Sequence, residues 1–165
     1  MEQNVKFQKR SVLLIFVAVM CIISVSIMIL TVLTPKKEIK EFVPPSFDIS
    51  AQTGIPPVSN EIDWQIIDAK AFEIGICGKV TANGENADIW LYNPKGNAVL
   101  LKVRIFDSDG TVLGETGLIK PNEYIQSVKL SAIPQQGAPL LLKVMAYQPN
   151  TYYSEGTVNI NTYIG

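Results

Sequence analysis

Between Ser11 and Leu33 the chain runs for twenty-three residues without a formal charge, with Lys6, Lys9 and Arg10 before it and Pro35, Lys36 and Lys37 after it. A helix over this run reaches roughly 34 Å at about 1.5 Å per residue, enough to cross a hydrocarbon core of about 30 Å. The run is longer than the h-region of a secretory signal and leaves through Ile29-Leu30-Thr31-Val32-Leu33 without a small-residue cleavage site. Cys21 follows Met20 in mid-run, which does not suit a lipobox. The expectation is an uncleaved membrane-spanning helix over residues 11–33, with the lipid bilayer as its partner.

The flanks tie in basic residues, three on each side, so the positive-inside count does not orient the helix. The ten-residue leading flank carries a single acid, Glu2, whereas Glu38 and Glu41 dilute Lys36, Lys37 and Lys40. Beyond the run come a Pro-rich stretch and then an all-β pattern with no pair of thiols. Residues 1–10 are therefore expected in the cytoplasm and the C-terminal part outside, making a single-pass cell-membrane protein.

From residue 34 to 60, Pro35, Pro44, Pro45, Pro56 and Pro57 interrupt any regular pattern. Proline fixes φ, removes a donor and pushes its predecessor toward extended backbone. That stretch reads as a stalk, although Phe42, Phe47 and Ile49 suit either docking on a domain or lipid headgroups better than they suit a plain spacer.

Residues 61–165 show period-two alternation separated by turn chemistry. Val99, Leu101, Val103 and Ile105 occupy one parity of a run, as do Leu140, Leu142, Val144 and Ala146 of another, and Val158, Ile160, Thr162 and Ile164 of a third. Phe72, Ile74 and Ile76 repeat the pattern. Asn83-Gly84, Asn93-Pro94-Lys95-Gly96, Asp109-Gly110, Pro121-Asn122, Gln136-Gly137 and Gln148-Pro149-Asn150 separate the runs. The pattern predicts an all-β, immunoglobulin-like or fibronectin III-like sandwich of about seven strands. Residues 123–131 alternate less cleanly and suggest a bulge. Asp107-Ser108-Asp109-Gly110 reads as a hairpin turn; a calcium loop would need further oxygen ligands that Thr111 to Gly114 do not supply.

Past residue 33 the chain has eleven Lys and Arg against fourteen Asp and Glu, and Lys102 with Arg104 is the densest basic cluster of the β region. Nucleic acid is not an expected partner, because phosphate binding needs clustered cations. With no histidine in the sequence, Ser-His-Asp and Cys-His catalysis and His-based metal sites are out of reach. Asp63 with Asp68 and Asp107 with Asp109 are better explained as strand ends or turns than as paired catalytic acids. Cys77 sits between Ile76 and Gly78, which offer no activation, and reads as a structural thiol. The expectation is no enzyme, no cofactor and no metal.

Binding is the expected role. By strand parity Trp90, Tyr92, Tyr147 and Tyr163 point away from the core and would form an aromatic contact patch. The alternative for Trp90 is the core tryptophan of a sandwich. Two kinds of ligand fit such a patch. One is another envelope or secretion-system protein, for which the chain would be an accessory, scaffold or binding subunit; the other is a carbohydrate or cell-wall polymer.

Asp109-Gly110, the corner Gly117-Leu118-Ile119-Lys120-Pro121-Asn122-Glu123-Tyr124-Ile125, then Leu130, Gly137 and the Leu140 to Tyr147 strand together carry a resemblance. Over residues 90–148 the chain resembles the small membrane-anchored immunoglobulin-like proteins of Gram-positive bacteria, with Asn122 where that pattern favours Gly and Pro139 near where it favours Tyr. The resemblance implies the sandwich fold and a cell-surface location, and supplies no reaction or catalytic residues.

Overall fold

The computed structural model describes residues 16–29, 42–58 and 63–165. The chain divides into two compact units, Met1–Phe42 and Val43–Gly165. In the first, residues 16–29 are helical. Among the described residues no helix is long and apolar enough to cross a membrane. The other positions of the 11–33 run, residues 1–10, and positions 34–41 and 59–60 of the stretch read as stalk lie outside the described residues.

Among the described residues the second unit has ten strands in two antiparallel sheets: β1 (Gln52–Thr53), β2 (Trp64–Asp68), β3 (Glu73–Cys77), β4 (Thr81–Asn83), β5 (Asn86–Asn93), β6 (Leu100–Phe106), β7 (Val112–Glu115), β8 (Glu123–Lys129), β9 (Pro139–Tyr147) and β10 (Ser154–Tyr163). The larger sheet has the order β1-β8-β5-β3-β2, with β4 beside the first half of β5. The smaller has the order β10-β9-β6-β7. Ile74, Ile76, Ile89, Leu91 and Ile125 of the first and Leu101, Val103, Ile105, Leu142 and Val144 of the second meet in one core. The all-β two-sheet expectation stands, and the inward parities read from the sequence are those found in β3, β6, β9 and β10. The strand count is larger than the seven expected, because β1, β2 and β4 are short edge pieces with little alternation of their own.

One extra strand falls in the stretch read as stalk. β1 pairs with β8 through Gln52 opposite Tyr124 and Thr53 opposite Glu123, and Phe47 bridges Leu118 in parallel. The compact unit thus takes in residues 43–58, not only those from 61 onward. All three apolar stalk residues keep exposed side chains, and Phe47 touches the domain through its backbone bridge to Leu118.

The turn glycines Gly84, Gly110 and Gly137 take positive φ, and Asn122 does the same at +64°. Asparagine tolerates this left-handed backbone better than most residues. The bulge expected in residues 123–131 belongs to the partner strand. The register of β5 against β8 shifts between Asp88 and Leu91, and Trp90 sits there at φ +48°.

Candidate functional site

The four aromatic residues singled out by parity do not form one patch. Trp90 and Tyr92 lie on β5 of the larger sheet, Tyr147 and Tyr163 at opposite ends of the β9–β10 hairpin in the smaller one. Parity fixes whether a side chain points in or out; the crossovers decide which sheet carries it. Tyr92 is also only 8% exposed, so its outward direction does not make it a contact residue.

Its cover comes from neighbours on the outer face of the larger sheet. Trp64 of β2 lies over Gly75 of β3, where a Cβ would stand 2.6 Å from the indole. Its ring is 6.4 Å from that of Tyr92. Tyr124 pairs with Tyr92 across β5 and β8 and donates its hydroxyl to Gln52 Oε1 at 2.9 Å, while Trp90 stacks on Tyr124 at 6.3 Å. Trp90 is therefore a half-buried outer-face residue and not the core tryptophan. These rings satisfy one another, and they fasten β1 and β2 to the sheet. The sequence reading missed Trp64 and Tyr124; the signal was Gly75, a strand residue with no side chain to occupy its own surface.

The outer face of the smaller sheet is differently made. Arg104 and Lys143 are register partners on β6 and β9, and Asn159 of β10 pairs with Lys143. Glu115 of β7 accepts Lys102 Nζ at 2.9 Å and Arg104 at 2.8 Å on its two oxygens. Partial burial disfavours the Glu115 carboxylate, but hydrogen bonds from Lys102 and Arg104, with their charges, outweigh it and hold the carboxyl below its ordinary pKa. Lys143, Asn159 and Asn161 have no side-chain hydrogen bond or ion pair with any described residue. Together with Phe106, Leu141 and the turn residues Asp107 and Ser108 they line a concavity of about 470 Å³. Tyr163, 51% exposed, lies at one end of this face, and Tyr147, half-buried with its hydroxyl 3.4 Å from Met145 Sδ, at the other. The free groups here are a cation, two amides and an apolar floor.

Asp107 Oδ1 accepts the backbone N–H groups of Asp109 and Thr111 at 2.9 and 2.8 Å, which makes the segment a closed turn. Among the described residues no group of three or more His, Cys, Asp or Glu is placed to hold a metal ion. Cys77 is buried and donates its thiol to the Ile89 carbonyl at 3.0 Å. Burial pushes its pKa up to about 11, so it carries a proton at neutral pH.

The Glu115 bridge gives a prediction with a definite sign. A carboxylate whose folded pKa is depressed contributes stability above its unfolded pKa and loses it as pH falls through the folded value. Glu115→Gln should cost about 1 kcal/mol near neutrality, because Lys102, only 9% exposed, loses its partner. Urea unfolding at a series of pH values should show the gap between parent and variant closing below about pH 4. A gap that persists at low pH would mean that packing, not charge, sets the loss.

No family model, curated protein or solved structure matches this chain. Fold and site geometry place it in a class, the antiparallel two-sheet β proteins with a concavity of mixed polar and apolar lining on one outer face.

Proposed function

We propose that this chain is an immunoglobulin-like or fibronectin III-like module that binds another envelope protein without catalysis, held at the cell membrane by residues 11–33 with its C-terminal unit outside. The uncharged run and its basic flanks support the anchor. Strand order supports the fold: β10-β9-β6-β7 follows the G-F-C-C′ order of such sandwiches and β8-β5-β3 the E-B-A order, with β1 where a D strand would lie. The likeness to the small anchored proteins of Gram-positive bacteria points the same way.

The observation that carries the binding role is the outer face of the smaller sheet, where Lys143, Asn159 and Asn161 meet no described partner around the floor of Phe106 and Leu141. A cation beside amides and apolar area suits an acidic peptide segment, which would supply a carboxylate for Lys143 and backbone groups for the amides. The same concavity supports a second reading, a glycan, whose hydroxyls suit Asn159 and Asn161 and whose ring suits Phe106.

A photo-crosslinking residue at Ser108, beside the concavity, should capture the partner in intact cells, and one at Gln126 of β8 should not. Lys143→Glu should cut protein capture at least tenfold and change stability by no more than about 0.5 kcal/mol, as a surface substitution does. Retained wall-polymer binding that falls only on Phe106→Ala would select the glycan. Equal capture from Ser108 and Gln126 would remove this face from consideration.

A further inference from the structure

Among the described residues β10 is the longest strand, and it lies at the edge of its sheet. Natural edges are blunted by shortness, proline, lysine or cover. The other edges here follow that rule: β7 is four residues long and ion-paired through Glu115, β1 has two residues, and β2 is closed at its ends by Asp63 and Lys70 at positive φ. β10 is blunted only at its ends, by the register shift between Ser154 and Gly156 and by Val80 beside Tyr163. From Gly156 to Tyr163 it contains no charged residue and no proline.

The hydrogen bonds at its end show which groups are free. Ile164 donates to Ala138 and accepts from Gly137 on the β9 side, whereas Tyr163 accepts from Val80, and Gly165 donates to Val80, on the opposite side. Pairing with β9 keeps one register from Gly156 to Tyr163. Alternation along an antiparallel strand therefore turns the N–H and C=O of Thr157, Asn159 and Asn161 away from β9. Residues 78–80 cover the edge from Thr162 onward, through Thr162 Oγ1 to the Gly78 carbonyl and Val80 beside Tyr163. Val158 and Ile160, which point inward, are only partly buried against the core.

We infer that this edge pairs with the same edge of a second copy, antiparallel and about a two-fold axis through Asn159. The three free residues are symmetric about Asn159, so Asn159 meets its own equivalent and Thr157 meets Asn161 of the second copy. About six N–H···O bonds form, two for each pair. The uncharged stretch brings no like charges together, and Val158 of each copy meets Ile160 of the other, covering the apolar side chains now left at the rim. The two four-stranded sheets become one continuous sheet, with both concavities on the same face. This pairing does not depend on what the concavity binds.

The register makes the test specific. In the full chain with Cys21→Ser, which removes the exposed thiol, Asn159→Cys should yield a disulfide-linked dimer under mild oxidation. Hydrogen-bonded partners stand about 5.5 Å apart at Cα, within disulfide range. Thr157→Cys should give at least tenfold less, because its equivalent lies four residues away in the ladder, about 13 Å. Mixing Thr157→Cys with Asn161→Cys should restore cross-linking. In sedimentation of the otherwise unaltered chain in detergent, Asn159→Lys should shift dimer to monomer with an unchanged circular-dichroism spectrum, since it opposes two lysines. Equal yields at 157 and 159, no dimer at either, or a dimer indifferent to Asn159→Lys would overturn the inference.

Discussion

Asn93→Leu is expected to lower the stability of the β unit by about 3 kcal/mol, although it exchanges a polar side chain for an apolar one at a position with no exposure at all. The amide of Asn93 donates to the carbonyls of Val99 and Ile119 at 2.9 and 3.0 Å and accepts from Asn97 Nδ2 at 2.7 Å. Asn97 in turn exchanges hydrogen bonds with the backbone of Glu73. One side chain thus ties the β5–β6 turn, the start of β6, the segment before β8 and, through Asn97, the start of β3. Leucine fills the volume and removes all three bonds; Ile119 O keeps the Leu101 N–H, but the buried Val99 carbonyl loses its side-chain donor and Asn97 loses its acceptor, and each such group costs about 1–3 kcal/mol. Asn97→Ala, at a half-buried position, should cost about 1 kcal/mol. Urea denaturation with unchanged m-value is the measurement. A loss for Asn93→Leu no larger than that for Asn97→Ala would show that the network is not the support described.

This network marks the limit of what the sequence discloses. Asn93-Pro94-Lys95-Gly96 is legible as turn chemistry, but nothing local says that Asn93 is the buried end of β5, because its partners lie six and twenty-six residues away. The opposite holds for β6 and β9. There one parity is wholly apolar, so alternation alone fixes which face enters the core, and the structure buries Val103, Ile105, Leu142 and Val144. The candidate site falls between these cases. Tyr147 and Tyr163 were readable as outward, and they do flank the outer face of the smaller sheet that carries the concavity. Its free cation Lys143 and amides Asn159 and Asn161 were not, since a lone lysine or asparagine on a strand carries no signal until the fold shows what its neighbours leave unpaired. Tyr92 was misplaced for a related reason: its cover is Trp64, which reaches it only because Gly75 vacates the surface between them.

The second large effect concerns the stretch that proline content marked as stalk. Gly117→Val should lift residues 46–53 off the domain while leaving the two-sheet core folded. A Cβ on Gly117 would stand 2.4 Å from the Asp48 nitrogen and 2.6 Å from its Cα, and backbone atoms cannot yield by changing rotamer. Three hydrogen bonds depend on that approach: Asp48 N–H to Leu118 O, Leu118 N–H to Ser46 O, and Gly117 N–H to the Asp48 carboxylate. The Lys120 ammonium 4.7 Å over the Phe47 ring belongs to the same contact. β1 and the Tyr124–Gln52 bond should follow, because two residues of strand cannot hold a segment by themselves. The core survives, since the pairing of β8 with β5 and the place of Ile119 in the core come from residues outside the segment. Hydrogen exchange at the amides of Asp48, Gly54 and Leu118 should accelerate by about a hundredfold, roughly 2.7 kcal/mol of lost protection, while Val103 and Val144 keep theirs. Asp48→Ala should give only a part of this, as it removes the carboxylate cap without the clash. If those amides in Gly117→Val exchange at the parental rate, the segment is not held by the approach at Gly117. If Val103 and Val144 lose protection together with it, the segment is part of the cooperative core and not a strap laid across it.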